Sequence, residues 1–379
     1  MKDIINKILF LTVISFSFLS FSQEDLVINN VRLFDGEIVK ERVSVFIKNG
    51  LISKISKEKI KYHNAINGEG KTLIPAFTNS HVHVWMPASL QQAAKAGVLN
   101  LLDMHGVESM MPILRKFKDS TNYASFYAAG AAATVPGGHG TQYGFPTPTL
   151  TKPEEALSFV KERIKNGAHY IKIIKEPWKA TLDTKTVAAL IKASHKENKK
   201  AVVHVSKAQD GFQVLKDKAD GLVHIWDDKK ITETQLNQLK KEHFFVIPTI
   251  LTLQKVQSLY FNKTEEQTKI KVKLIQEEVK RLYDVGVPIL AGTDPPNANI
   301  NHGTDLYKEM YLLKEAGIPV LDVLKSATSL PALHFNLKNK GFIKKGYRAD
   351  FILINGNPTK NINDIANEKR VFKLGKEVQ

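Results

Sequence analysis

His81 and His83, in Pro75-Ala-Phe-Thr-Asn-Ser-His81-Val-His83-Val-Trp85, are the first side chains placed to do chemistry together. They close an apolar stretch of strand character. Alternate side chains of a strand share a face, so both imidazoles point the same way, close enough to grip one cation. Neutral imidazole is the commonest metal ligand among side chains. Two ordinary core histidines would give the same short pattern, which by itself matches often by chance. Later apolar stretches add partners. Lys172 lies in Ala168-His-Tyr-Ile-Lys-Ile-Ile, His204 ends Ala201-Val-Val-His-Val, His224 ends Gly221-Leu-Val-His-Ile-Trp, and Asp294 follows Pro288-Ile-Leu-Ala-Gly-Thr. Each has a plain explanation: a lysine snorkelling from an edge strand, hydrogen-bonded core histidines, an aspartate capping a helix or turn. A lysine inside an apolar strand is nevertheless costly unless its charge is removed or used.

The elements that must carry these groups follow from the patterning. Between about 73 and 341, apolar strand segments alternate with amphipathic helical ones. Strands are expected at Leu73–His83, Gly97–Met104, Ala124–Ala131, Tyr170–Ile174, Val202–Val205, Gly221–Ile225, Phe244–Pro248 and Val287–Ala291. Helices are expected at Pro153–Asn166, Thr184–Asn198 and Glu265–Val285. Eight strands alternating with helices predict an α/β fold, a (β/α)8 TIM-type barrel whose active site gathers at the C-terminal strand ends. All six candidate groups fall there. The competing open doubly wound sheet lacks a G-x-G-x-x-G after its early strands. Outside this region the rhythm changes to short alternating strands broken by Asp35-Gly36 and Asn49-Gly50, which read as hairpins with primed turns. The C-terminal stretches Ala349–Pro358 and Val371–Gly375 are similar. Neither end has enough strands to stand alone. Residues 23–72 and 342–379 are therefore expected to combine as one small β-sandwich beside a barrel of residues 73–341.

Composition sets outer limits. Hydrophobic residues make up 43% and charged residues 24%, the balance of a soluble globular protein. Lys2 and Lys7 precede an apolar run from Ile8 to Phe21, and Ser20-Phe21-Ser22 supplies small residues for cleavage. Residues 1–22 are expected to be a signal peptide cut before Gln23, with the mature chain exported to a periplasm or the exterior and left without a stable membrane span. The sequence contains no cysteine, so disulfides cannot brace it. The net charge of +16 is spread over helical faces such as Lys196–Lys200 and Lys269–Lys273. No arginine-rich stripe interleaved with aromatics accompanies it, so nucleic acid is not an expected partner.

At this level the sequence resembles the metal-dependent amidohydrolase superfamily, in its imidazolonepropionase-like and Xaa-Pro-dipeptidase-like branch. The resemblance spans nearly the whole chain after residue 22. It rests on Gly68-Glu-Gly-Lys-Thr-Leu-Ile-Pro75, His81-Val-His83, Gly137-Gly-His-Gly140, Val246-Ile-Pro-Thr249, Ala291-Gly-Thr-Asp294, His302-Gly-Thr304, Ala327-Thr328, Pro331-Ala332 and the run from Gly341 to Asp350. Pro75-Ala76 stands where the family usually has Pro-Gly, and Asn79 where it often has aspartate. The resemblance implies two divalent metal ions, Zn²⁺ foremost, with a one-ion site as the alternative. His81, His83 and Asp294 would hold one ion, and His204 and His224 the other. Lys172 would bridge both as a carbamate formed with carbon dioxide. Asp294 would also be catalytic, moving a proton from the attacking water to the leaving amine.

The implied activity is hydrolysis of an amide-type C–N bond in a dipeptide, an N-acyl amino acid or a cyclic amide. Lactone, ester or phosphotriester hydrolysis is the alternative on the same site, and a catalytically silent binding protein is the third. Deaminases of the superfamily carry H-x-x-E where this sequence has His204-Val-Ser-Lys207, which argues against base deamination. His139 and Tyr143, in the loop after the third strand, are candidates for contact with a substrate carboxylate, or parts of a plain turn. His105, after the second strand, reads as an ordinary loop histidine.

Overall fold

The computed structural model describes residues 25–379, so the expected signal peptide lies outside the described residues. At Asn49-Gly50 both residues adopt positive φ, 51° and 76°. That is the pairing a type I′ turn requires. It sets Val39–Lys48 antiparallel to Leu51–Ser56 with Lys48 opposite Leu51. Asp35-Gly36 behaves differently from the expected two-residue turn. Asp35 accepts backbone N–H bonds from Glu37 and Ile38 through one carboxylate oxygen, which builds a longer loop closed by its own side chain.

Strands from the two chain ends share one sheet. Its order is Lys376–Glu377, Lys369–Lys373, Phe351–Asn355, Lys71–Pro75, Leu26–Phe34, Val39–Lys48 and Leu51–Ser56, with Ile66–Asn67 beside Leu26–Phe34. The expected sandwich of two separate layers is thus a continuous hydrogen-bonded sheet. Period-two alternation gives it two apolar faces. Phe351 and Leu353 pack with Val31, Leu33, Val45 and Phe372 in the sheet's own core. Ile352 and Ile354 point the other way, into the larger core.

That larger core surrounds two parallel sheets. One contains Phe77–Val82, Val98–Asp103 and Ser125–Ala128; the other contains Ile171–Lys175, Ala201–Val205, Gly221–Val223 and Phe245–Ile247. Phe77–Val82, Val98–Asp103 and Ala201–Val205 are buried along their whole length, as strands covered on both faces must be. Helices alternate with them. Thr184–Lys196 is capped by Asp183, and Glu265–Asp284 by the reciprocal pair Thr264 and Gln267. Ala133 joins the two sheets, donating to the Lys172 carbonyl and accepting from the Ile174 N–H. The expected eighth strand, Val287–Ala291, forms only an isolated bridge between Ile289 and Val246. Pro288 has no N–H to give, and the Ala291 N–H is taken by the Ser326 carbonyl. The Ala291 carbonyl still accepts from the Ser80 N–H, so this segment lies against both Phe77–Val82 and Phe245–Ile247. Among the described residues no helix is long and apolar enough to cross a membrane.

Candidate metal centre

His81 and His83 leave the Phe77–Val82 strand with their Nε2 atoms 3.2 Å and 2.9 Å from one oxygen, Oδ1 of Asp294. Backbone bonds bring the two segments together: the Asp294 N–H donates to the His81 carbonyl and the His83 N–H to the Pro295 carbonyl. The ring of His83 is aimed by its far nitrogen. Nδ1–H donates to the His105 carbonyl at 2.7 Å, leaving the Nε2 lone pair facing the cluster. His224 repeats the device, with Nδ1 bonded to the Thr249 hydroxyl, which itself donates to the Pro248 carbonyl. Its ring stands 4.8 Å from that of His81 and 4.5 Å from that of His204. Ligand atoms of His81, His224 and Asp294 all lie within 4.8 Å of one another.

Three of these positions carry left-handed backbone: His224 at φ 66°, Thr249 at 49° and Asp294 at 55°. Non-glycine residues held there cost roughly 1–3 kcal/mol each and concentrate at functional sites. The electrostatics agree with a ligand set. Burial drives the imidazole of His81 down to about 3 and those of His204 and His224 well below their ordinary value. Burial opposes the ionisation of Asp294, but His81 and His83 outweigh it and hold the carboxyl well below its usual range. His83 differs: burial opposes its protonation, but Asp294 outweighs burial and raises the imidazole above its ordinary value. Neutral imidazoles and an ionised carboxylate are the protonation states a cation requires, so a bound ion would displace the proton that Asp294 favours on His83. The buried Nδ1 of His81 has no hydrogen-bond partner among the described residues. A nitrogen and oxygen donor set without thiolate fits Zn²⁺. The residues present fit a divalent metal.

Lys172 is 3% exposed on the Ile171–Lys175 strand, and its Nζ makes no hydrogen bond or ion pair among the described residues. Burial lowers its amine to about 7 against the attraction of Asp294 and Asp103. His204 lies outside the triad of His81, His224 and Asp294: its Nε2 is 2.8 Å from Oε2 of Glu176.

Comparison with known proteins follows the same residues. The amidohydrolase family profile matches residues 72–378, which include every group described above. The chain belongs to the amidohydrolase family. It is accordingly a metal-dependent hydrolase acting on carbon–nitrogen bonds. This amidohydrolase is 23% identical over 389 aligned residues to a 5-methylthioadenosine/S-adenosylhomocysteine deaminase of Caldicellulosiruptor saccharolyticus, covering 88% of its own length and 85% of the relative's. Its fold is similar to that of a Xaa-Pro dipeptidase with methionine bound in the active site (TM-score 0.80, 22% identity, 94% and 100% of the two chains covered). A prolidase-like structure from Bifidobacterium longum is comparable, with TM-score 0.79, 20% identity and 94% of both chains covered.

The loop after the third strand arches over the amidohydrolase cluster. The His139 ring lies 4.9 Å from that of His204, and the Tyr143 ring 6.1 Å from that of His83. Tyr143 donates weakly to Asn297 Oδ1 at 3.5 Å, and Asn297 Nδ2 donates to Asp294 Oδ1 at 2.9 Å. His105 is no ordinary loop residue. It is buried, accepts from the Ala132 N–H at Nδ1, donates from Nε2 to the Gly140 carbonyl, and offers its own carbonyl to His83. Asn79 also gains a role: its amide oxygen accepts from the N–H groups of His81 and Thr293, and its nitrogen donates to the Thr293 hydroxyl. Asp103, Thr249, Glu176, Asn297 and His302 complete the surroundings. The His302 Nε2–H donates to the His83 carbonyl. Burial raises the Asp103 carboxyl to about 6, against the pull of His83 and the backbone N–H groups of Val84 and His105.

Proposed function

We propose that this amidohydrolase cleaves an amide-type C–N bond in a small substrate, a dipeptide, an N-acyl amino acid or a cyclic amide, using two divalent cations with Zn²⁺ foremost. His81, His83 and Asp294 would hold one ion, and His204 and His224 the other. Lys172 would lie between them as a carbamate. The parallel strands would form one (β/α)8 barrel over residues 73–341 beside the composite β-domain of residues 23–72 and 342–379, in a chain exported after loss of residues 1–22. The observation that carries the site is the convergence of two histidine Nε2 atoms on one Asp294 oxygen beside a buried lysine without a partner.

When bound, the cations supply Lewis acidity toward the scissile carbonyl and acidify a water molecule. The chain's own part is as follows. His105 and Thr249 hold the rings of His83 and His224 in the tautomer that presents Nε2. Lys172, with an amine near 7, keeps enough neutral nitrogen at physiological pH to attack carbon dioxide, which only the unprotonated form does. Asp294, ionised, accepts the proton of the attacking water and returns it to the leaving amine. Asn297 steadies the same carboxylate by donating to the oxygen that the two histidines approach. His139 and Tyr143 would meet the substrate's carboxylate from the covering loop.

A one-ion site is the second reading. It is favoured by the tight grouping of His81, His224 and Asp294 and by the attachment of His204 to Glu176. The test is a metal-reconstituted screen over Xaa-Pro dipeptides, N-acyl amino acids, cyclic amides, lactones and phosphotriesters. The expected result is C–N hydrolysis abolished by a chelator and restored by Zn²⁺. Turnover of lactones or phosphotriesters alone, or hydrolysis indifferent to the chelator, overturns the proposal.

A further inference from the structure

Glu176 stands one residue beyond the Ile171–Lys175 strand, four after Lys172. Continued at period two, the strand directs residues 172, 174 and 176 to one face. The Glu176 side chain is almost fully buried, 4% exposed. One carboxylate oxygen, Oε1, accepts the Ser206 hydroxyl at 2.6 Å, and the other, Oε2, lies 2.8 Å from Nε2 of His204. No lysine or arginine among the described residues forms an ion pair with it; the Trp178 N–H and the attraction of Lys207, beyond ion-pair distance, offset its charge only in part. The arrangement copies His83 and Asp294, where a histidine Nε2 meets a carboxylate oxygen at 2.9 Å. Two donors bound to one zinc-like ion at about 2.0–2.2 Å lie about 2.9–3.5 Å apart for angles between right and tetrahedral. A separation of 2.8 Å therefore needs to open by only a few tenths of an ångström to admit a cation.

We infer that Glu176 is a ligand of the second cation, the one assigned to His204 and His224. This rests on the two-ion reading above. The His224 ring, 4.5 Å from that of His204, supplies the third donor of that position. Ser206 anchors the carboxylate so that Oε2 stays turned to the ion.

The experiment is reconstitution of the metal-free full-length protein with Co²⁺, read by metal content after dialysis, by the visible spectrum of the bound ion and by chelator competition. Wild type is expected to take up two ions per chain. Glu176→Gln is expected to keep the tight ion and to bind the second at least tenfold more weakly, with loss of part of the Co²⁺ spectrum. Ser206→Ala, which frees the carboxylate without removing it, is the milder variant and should weaken only the second ion, by several-fold. It decides the matter should Glu176→Gln not fold. Two ions held equally by wild type and both variants overturn the role of Glu176 and leave the two-ion reading standing. A wild-type chain that takes up a single ion overturns both.

Discussion

At the residue scale, the site depends on groups that are polar in the interior and held there by other polar groups. Asp294 is the most constrained: left-handed backbone, two imidazoles and an amide on one carboxylate oxygen. Asp294→Asn is expected to lower kcat about 10²–10⁴-fold, the usual worth of a positioned proton carrier, while far-ultraviolet circular dichroism stays unchanged. Wild-type turnover in that variant would remove Asp294 from catalysis. These residues differ in how visible they are in the sequence. His81 and His83 show through their spacing, and His204, His224 and Asp294 through their place after apolar runs. Glu176 could have been found by extending the period of the Lys172 strand by two. His105 could not, because what it gives His83 is a backbone carbonyl, which every residue has. The same holds for Thr249, whose left-handed conformation no β-branched residue advertises.

At the scale of elements, the helix Ile250–Leu259 begins directly after Thr249 without a capping side chain of its own. Glu309, from the helix Asp305–Glu315, replaces the cap: its two oxygens accept the N–H groups of Ile250 and Leu251 at 2.9 Å and 2.8 Å. A chain of contacts thus runs from Glu309 through this helix start to Thr249 and His224. Burial raises the Glu309 carboxyl from its ordinary 4.5 to about 8, against the two N–H bonds. Between those values the folded chain holds a proton that the unfolded chain has lost, so stability falls with rising pH. This contribution is fully present below about 4.5 and is lost as pH passes about 8. Urea midpoints measured across that window should therefore decline for wild type, and Glu309→Gln should flatten the decline; equal slopes would show that Glu309 is ionised throughout. Legibility at this scale was uneven for a physical reason. Long amphipathic helices such as Thr184–Lys196 and Glu265–Asp284 carry their own periodicity and caps. The segment Val287–Ala291 has strand composition, but Pro288 and the claim of Ser326 on the Ala291 N–H leave it only a bridge.

For the molecule as a whole, Lys340 fastens the terminal sheet to the parallel strands. Its buried ammonium donates to Asn100 and Ser125 on the strands and lies 3.3 Å from Asp350, which leads into the sheet strand Phe351–Asn355. Lys340→Met leaves the Asp350 carboxylate with Arg348 and the Leu374 N–H and is expected to cost about 3–5 kcal/mol in chemical denaturation, as broken buried pairs do. A loss within about 0.5 kcal/mol, typical of surface changes, would mean that the apolar contacts of Ile352 and Ile354 hold the interface unaided. The sheet's strand order has a further consequence, for synthesis. Lys71–Pro75 lies between Leu26–Phe34, made early, and Phe351–Asn355, made near the end. Until Phe351–Asn355 leaves the ribosome, one flank of that strand has no partner inside its own chain and offers a bare ladder of backbone donors and acceptors to any neighbour. Messages broken before the codons for Phe351–Asn355 should accordingly yield clumped polypeptide rather than a shortened but soluble enzyme.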